Sequence, residues 1–540
     1  MRRGFAILLA GVLLNPAMIG AVPQHWGNGD TATPIKHLVI IFQENVSFDH
    51  YFGTYPNAKN LAGENSFHAA DGTPGVNGFS PALLTNNPNL NPGNGTAATN
   101  PFRLSPAQAA TNDQDHNYTP EQEAYDGGLM DLFPEFTGTT GPPPGTPPIA
   151  DTKGLVMGYY DGNTVTALWN YAQHFAMSDN SFDTNFGPST PGAVNVVSGQ
   201  TNGVINNTNG SGAITADGNG GYSDTGDADP AGDVCSTTTG ETFSMSGQNI
   251  GDLLNEKGIS WGFFNGGFNL SLVNANGTTG CARSTTSTIT LTKKADYIPH
   301  HQPFQYYAST ANPLHTRPAS IAEIGHDGPA NHQYDTADFF AAVSAGNFPA
   351  VSYLKAPGYQ DGHAGYSDPT DEQNFIVTVI NFLEKSREWQ STAVIIAYDD
   401  SDGWYDHVQS PIVNHSATAS DQNAAGAYMC GSVASATALA LPGVSAAHAQ
   451  ARCGYGPRQP FMVISPYAKR NFVDHTTTDQ SSVVRFIEDN WLGGERITGS
   501  FDAIAGPITN MFDFSRCRDE DGILILNPNT GEPVGPSYKY

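Results

Sequence analysis

Two short apolar runs of this chain end on acids. Residues 37–42 (HLVIIF) lead into Gln43-Glu44-Asn45, and residues 393–398 (AVIIAY) lead into Asp399-Asp400. Unbroken runs rich in β-branched residues have the pattern of strands covered on both faces. Open α/β sheets gather their ligands at the carboxyl ends of such strands. Glu44, Asn45, Asp399 and Asp400 could therefore meet at one sheet edge, although the two pairs lie over 350 positions apart. Three carboxylates in one place repel each other unless a cation sits among them. An all-oxygen donor set favours one hard divalent ion, Ca²⁺, Mg²⁺ or Mn²⁺. The plainer reading is a turn or helix cap after each strand.

A hydroxyl nucleophile is available in Gly187-Pro188-Ser189-Thr190-Pro191-Gly192. Gly-Pro makes a tight turn, and Pro191 suits the first turn of a helix. A hydroxyl at a helix start faces unpaired N–H groups and the positive end of the dipole, which suits a phosphate and an incipient alkoxide. The same residues also read as a simple cap. Of 16 histidines, several stand in polar company: His116 in DQDHNY, the pair His300-His301 after Pro299, His363 in DGHAG and His407 in DGWYDH. Most lone histidines are structural hydrogen-bonders, so these are candidates only as a group.

The elements that must position these residues follow from periodicity. Further strands are expected at 351–354 and 461–464, and amphipathic helices at 164–177, Ile250–Lys257, Thr336–Ser344, 372–388 and Ser481–Trp491. Strands alternating with helices predict an α/β sandwich with a central sheet. Three Asn/Gly/Pro-rich stretches, 71–112, 137–148 and 201–233, read as long loop insertions on that scaffold. No linker is visible, so residues 22–540 are expected to form one elaborated domain.

Composition excludes other classes. With 23 Lys+Arg against 51 Asp+Glu, the chain of 540 residues carries a formal charge of −28. A nucleic-acid partner needs a basic surface, and an anionic lipid surface would repel this one. Arg2-Arg3, an apolar run from Gly4 to Leu14 and the small pair Gly20-Ala21 read as a signal peptide over residues 1–21. No later run is long enough to span a bilayer, so no stable membrane insertion is expected. Five cysteines fit an oxidising compartment. The pairs expected are Cys235–Cys281 and Cys430–Cys453, leaving Cys517 single. A secreted or periplasmic protein follows. A non-enzymatic surface protein with a Thr/Asn/Gly-rich exterior is the alternative from a different class.

The segment from Glu44 to Gly53 (ENVSFDHYFG) closely resembles the opening motif of the bacterial phosphoesterase family that contains phospholipases C and respiratory-burst-inhibiting acid phosphatases. Further blocks match in the same order: Asp115-His116, Gly187-Pro188-Ser189, Pro299-His300-His301, Asp361-Gly362-His363, and Asp399-Asp400 leading to Asp402-Gly-Trp-Tyr-Asp-His407. The resemblance implies an alkaline phosphatase/sulfatase-like fold, a central mixed β-sheet flanked by helices. It implies Ser189 as nucleophile and Glu44, Asn45, Asp399 and Asp400 as ligands of one divalent metal, with Ser189 completing the set. His116, His300, His301 and His363 match the phosphate-site histidines, His116 as the acid for the leaving alkoxide.

On this reading the substrate is a small phosphate ester or a phospholipid. Two departures place the acid phosphatase first. The phospholipase branch typically has Thr where Ser189 stands and Asp-Glu where Asp399-Asp400 stands. An acid optimum is expected from the histidine-rich pocket. The second reading is a phospholipase C cleaving phosphatidylcholine-type diesters.

Overall fold

The computed structural model describes residues 31–142, 152–208, 210, 212–423, 430, 441, 450–515 and 522–535. The expected leader, Cys517 and part of the 137–148 loop lie outside the described residues. One mixed sheet dominates. Its strands, in chain order, are β1 (His37–Gln43), β2 (Ala176–Phe182), β3 (Trp261–Asn265), β4 (Gln333–Asp335), β5 (Val351–Lys355), β6 (Thr392–Tyr398), β7 (Arg458–Ile464), β8 (Phe472–Asp474) and β9 (Thr478–Asp479). Across the sheet they lie in the order β4-β3-β5-β1-β6-β7-β2-β8, and β9 also pairs with β2. Strands β4 to β6 of this row are parallel. β7 runs antiparallel to both β6 and β2, which turns β2 back into the common direction.

β1 and β6 occupy the middle because all but the first residue of β1 and every residue of β6 are buried. Their sequences have no polar face to offer solvent. The helices pack in two groups. α1 (Phe48–Phe52) and α2 (Tyr118–Tyr125) stand at the sheet edge. α3 (Thr166–His174) packs on α7 (Pro369–Glu384). α4 (Ser189–Ser198) packs on α5 (Ile250–Lys257) and α8 (Ser481–Trp491), while α6 (Thr336–Ser344) covers β3 and β4. The central mixed sheet flanked by helices is thus the expected class.

Two helix expectations need correction. The helix expected at 164–177 ends at His174, and Ala176 already begins β2. β2 (AMSDNSF) has no apolar run, so its strand character was hidden. The helix expected at 372–388 starts earlier, at Pro369, and ends at Glu384. Asp368 caps it by accepting from the N–H groups of Thr370 and Asp371, with Pro369 in the first turn. The 201–233 insertion is not bare loop: it forms short strands at Val204–Thr208, Ile214–Ala216 and Tyr222–Asp224. The disulfides Cys235–Cys281 and Cys430–Cys453 are formed as expected, with Cα–Cα distances of 5.2 and 6.0 Å.

The helix α4 is pressed on the end of β6. A Cβ built on Gly192 would lie 1.9 Å from the carbonyl oxygen of Asp399, closer than any side chain tolerates. Gly192→Ala should therefore push α4 off the strand end. A loss of about 1–3 kcal/mol in denaturant unfolding is expected, together with a fall in activity. An unchanged midpoint and rate would show that the contact is dispensable.

Glu384, at the end of α7, is buried and accepts from the N–H of Leu524 at 2.8 Å. Burial pushes its carboxyl up to about 8, against that hydrogen bond. The folded value lies above the unfolded one, so its contribution to stability is complete below about pH 4 and is lost as pH rises through 8. Glu384→Gln keeps an acceptor for Leu524 and cannot ionise. Thermal melts from pH 5 to 9 should show the variant losing less stability than the wild type, and identical slopes would contradict this.

Candidate functional site

Register sets the first half of the site. Gln43 pairs with Tyr398 across β1 and β6, so the chain leaves both strands side by side. The exits are then tied: Asp399 N–H donates to Gln43 O at 3.2 Å, Val46 N–H to Asp400 O at 2.9 Å, and Glu44 N–H to Asp361 O at 2.8 Å. Glu44, Asn45, Asp399 and Asp400 are all fully or almost fully buried.

The second half arrives from β2. After Phe182 the chain turns through Gly187, at φ 126°, a conformation that favours glycine, and starts α4 at Ser189. Glu121 of α2 fastens this turn to the β6 exit. Its Oε2 accepts from Gly187 N–H at 3.0 Å and its Oε1 from Ser401 Oγ at 2.6 Å. Ser189 Oγ consequently lies 3.1 Å from Glu44 Oε2 and 3.0 Å from Asp400 Oδ2, and Asn45 Nδ2 donates to it at 3.4 Å. One hydroxyl proton cannot serve two carboxylates. The serine oxygen therefore sits at the vertex of an acidic, buried cluster at a helix start.

Lys355, the last residue of β5, is buried beside the same acids. Its Nζ is hydrogen-bonded to Glu44 Oε1 and stands 3.9 Å from Asp399 Oδ2. Sequence reasoning found its strand but gave the lysine no role. Its position at a carboxyl end, like that of Glu44, was the available signal.

The histidines divide by environment. His116 directs Nδ1 to Gln114 O at 2.8 Å and has Asp402 Oδ1 at 3.4 Å, leaving Nε2 3.4 Å from Asn45 Nδ2. A carbonyl only accepts, so Nδ1 carries a proton. Burial opposes charge on this ring, but Asp400, Asp113, Asp402 and Asp227 outweigh it and raise its pKa well above the ordinary value. His300 is raised too, against desolvation, by its bond to Asp229 and by Asp227. His301 lies 3.1 Å from Glu44 Oε1, yet burial, with His300 and Lys355 nearby, holds it well below the ordinary value. It acts as a neutral donor, and Lys355 is the cation beside Glu44. His363 is lowered by burial and stacks on Tyr366 at 4.3 Å. It stands 6.0 Å from His116, ring to ring.

The acids divide as well. Burial would raise Glu44, but the His301 ring and the Lys355 ammonium hold it well below the carboxylate range. Burial and the Glu44 charge keep Asp399 well above that range. Burial pushes Asp400 up to about 7, against the pull of His116.

A metal fits this donor set. Asn45 Oδ1 is buried and finds no hydrogen-bond partner among the described residues. With Ser189 Oγ and three carboxylates it forms an all-oxygen group of the kind hard divalent ions take. Other acid–histidine groups surround or lie beyond it. Glu44, His301 and Asp361 form one, and Asp113, His116, His363 and Asp402 another. The group Asp49, Asp406 and His407 is neutralised by Arg458, 3.1 Å from both acids. In the group Asp233, Cys235 and His315 the sulfur is spent in a disulfide. The structure thus brings Glu44, Asn45, Ser189, Asp399, Asp400, His116, His301 and His363 to one region, whereas His300 faces Asp229 and His407 is held by Asp49, away from the acidic cluster.

The chain is 25% identical over 538 residues to the non-hemolytic phospholipase C of Pseudomonas aeruginosa, which covers 96% of this chain and 64% of that protein. It therefore spans just under two thirds of that relative's length. It is 23% identical over 522 residues to phospholipase C A of Mycobacterium tuberculosis, covering 93% and 81% of the two chains. To the non-hemolytic phospholipase C of Burkholderia pseudomallei it is 24% identical over 570 residues, covering 99% and 68%. The model of the Phosphoesterase family matches residues 35–492, and the chain belongs to that family.

Proposed function

We propose that this chain hydrolyses phosphoric esters, and that it cleaves phosphodiesters in the manner of a phospholipase C. The observation that carries the chemistry is Ser189 Oγ within 3.1 Å of two buried carboxylates at the start of α4. The substrate class is a correction of the sequence reading, which placed acid phosphatase first. Relatives covering nearly the whole chain are phospholipases C. Ser189 Oγ and Asp400 Oδ2 lie 3.0 Å apart, a contact that serves a monoester and a diester alike.

Ser189 Oγ attacks phosphorus in line as the bond to the leaving alcohol breaks, giving a phosphorylated serine that water then hydrolyses. Its proton passes to Asp400 or Glu44, both within hydrogen-bond distance. A divalent cation held by Glu44, Asn45, Asp399, Asp400 and Ser189 would supply a lower hydroxyl pKa and offset charge on the phosphoryl oxygens. The amino end of α4 offsets charge from the other side, and His300, His301 and His363 are proposed as ring N–H donors to the phosphate. His116, its Nδ1–H held by Gln114 O and its ring kept as the imidazolium by the acids around it, gives its Nε2 proton to the leaving alkoxide and is left neutral. The acid optimum expected from the histidines belongs to the same proposal.

The sheet with acids at its strand ends and a nucleophile at a helix start supports an alkaline phosphatase/sulfatase-like assignment. The gathering of strands from residues 37 to 479 into one sheet supports one elaborated domain. Among the described residues no helix is long and apolar enough to cross a membrane. With two disulfides and the leader-like start, this supports export.

Ser189→Ala and chelation should each lower turnover of p-nitrophenyl phosphorylcholine by about a thousandfold or more. The wild type should prefer that diester to p-nitrophenyl phosphate at every pH from 5 to 8. A strong monoester preference would restore the phosphatase reading, and full activity of Ser189→Ala would reject the nucleophile. His116→Asn should slow an alkyl diester by about 10²–10⁴-fold and the p-nitrophenyl ester far less, because nitrophenolate leaves without a proton. Equal losses on both would contradict the acid role.

A further inference from the structure

The loops beside the His300–His301 pair carry five of the twelve large apolar side chains exposed among the described residues. Val234, Leu272, Val273, Leu291 and Leu314 are 42–74% exposed. They stand on loops fastened to one another. The Cys235–Cys281 disulfide joins two of these loops, and Val234 N–H donates to Pro313 O at 2.9 Å. His315 meets Phe268 O through Nδ1 at 2.9 Å and Asp233 through Nε2 at 3.0 Å. Thr279 Oγ1 donates to Leu272 O at 2.8 Å. The apolar tips therefore rest on a braced base.

That base adjoins the site. Tyr297 donates its hydroxyl to Asp233 Oδ2 at 2.6 Å, three positions before His300, and Asn274 Nδ2 donates to Asp296 Oδ2 at 2.7 Å. Leu291 lies at the tip of the hairpin formed by Ser284–Thr286 and Lys293–Ala295. Its φ of 59° is rare for a branched residue. The hairpin is anchored by Ser287 Oγ on Asp371 at 2.7 Å and by Thr290 Oγ1 on Tyr366 O at 3.1 Å, and Tyr366 stacks on His363.

Charge sets this surface apart. From 257 to 295 the chain has no Asp or Glu, although it carries 51 in all, and it has Arg283, Lys293 and Lys294, besides Lys257, which is paired with Glu495 at 3.1 Å. Arg283 is spent on Asp296 and Asp335, whereas Lys293 is exposed beside Leu291. Apolar tips with lysines and no carboxylates can enter the boundary between headgroups and acyl chains. The formal charge of −28 elsewhere disfavours an anionic bilayer.

We propose that this surface docks the protein on a zwitterionic phospholipid bilayer, with the His300–His301 pair turned toward the headgroups. The inference rests on the phospholipase reading and deepens it. A surface-borne substrate needs a docking face next to the catalytic mouth, and this face adjoins it.

The test separates docking from chemistry. Vesicle binding is measured by co-sedimentation with phosphatidylcholine vesicles, using Ser189→Ala protein so that no substrate is consumed. Leu272→Asp/Val273→Asp and, separately, Leu314→Asp are placed in that background and in the active enzyme. Binding and turnover of vesicular phosphatidylcholine should each fall by roughly tenfold or more, with turnover of soluble p-nitrophenyl phosphorylcholine within about twofold of the parent. The melts should be unchanged, because the side chains are exposed. Vesicle binding that survives both sets of substitutions overturns the proposal, as does absence of binding by the parent. Loss of a dimer in sedimentation, with vesicle binding intact, would assign the face to a second copy. Absent turnover of both substrates by the active parent, with vesicle binding intact, would instead sink the phospholipase reading.

Discussion

Mutual repulsion among buried carboxylates is the constraint around which this structure is arranged. Glu44 and Asp400 both reach one serine oxygen, and Asp399 lies beside them, where water is excluded. Each like-charged pair at 4–6 Å costs about 3–4 kcal/mol at the effective dielectric of protein sites. The fold holds the acids there by sheet register, by the close approach of α4 at Gly192 and by the Glu121 bridge. The chain relieves part of the repulsion with Lys355 and with raised carboxyl values at Asp399 and Asp400. A divalent cation would supply the rest of the relief, and this is why the donor set reads as a candidate metal centre.

Support for that cluster extends one layer out. Asp49, from the segment after Glu44, and Asp406, from the segment after Asp400, are both clamped by Arg458 of β7. His407 Nδ1 meets Asp49 Oδ2 at 2.5 Å, and Ser47 Oγ donates to Tyr405 O at 3.0 Å. The two exits that carry the ligands are thus locked together beyond the ligands themselves. The long motifs around Glu44 and Asp400 are explained by this clasp as much as by chemistry, since Phe48, Asp49, Tyr405 and Asp406 touch no reacting atom. On the other side, Asp227 from the 201–233 insertion accepts from Thr190 N–H and Oγ1 at 2.9 Å, so an excursion from the scaffold helps set the start of α4.

What could be read from the sequence follows from how each element earns its place. β1, β5 and β6 are buried on both faces, so their apolar runs announced them, and the acids at their ends announced the site. β2 lies nearer the sheet's end and is almost wholly buried, but its polar side chains are bonded: Ser178 Oγ accepts from the N–H of Asn180, and Asp179 takes the N–H of Asn77 and the ring of His475. A polar strand of that kind has no hydrophobic signature, and Met177 was read into the preceding helix. Ser189 was legible as a helix start, but its nearness to Glu44 came only from the family resemblance, because it depends on a crossover through β7 and on a glycine contact between distant segments. Glu121 and Lys355 escaped for the same reason: each matters through a partner far along the chain. The substrate class was misordered because single residues, Ser189 and Asp400, were given more weight than likeness along the whole chain.

The central claim is that the Ser189 oxygen takes the phosphoryl group. Rapid acid quench during turnover of a phosphorylcholine diester, followed by peptide mapping by mass spectrometry, tests it most directly. The account predicts a phosphoryl-linked adduct on the peptide containing Ser189, localised to that side chain. An adduct on a histidine, or on Thr190, would contradict it.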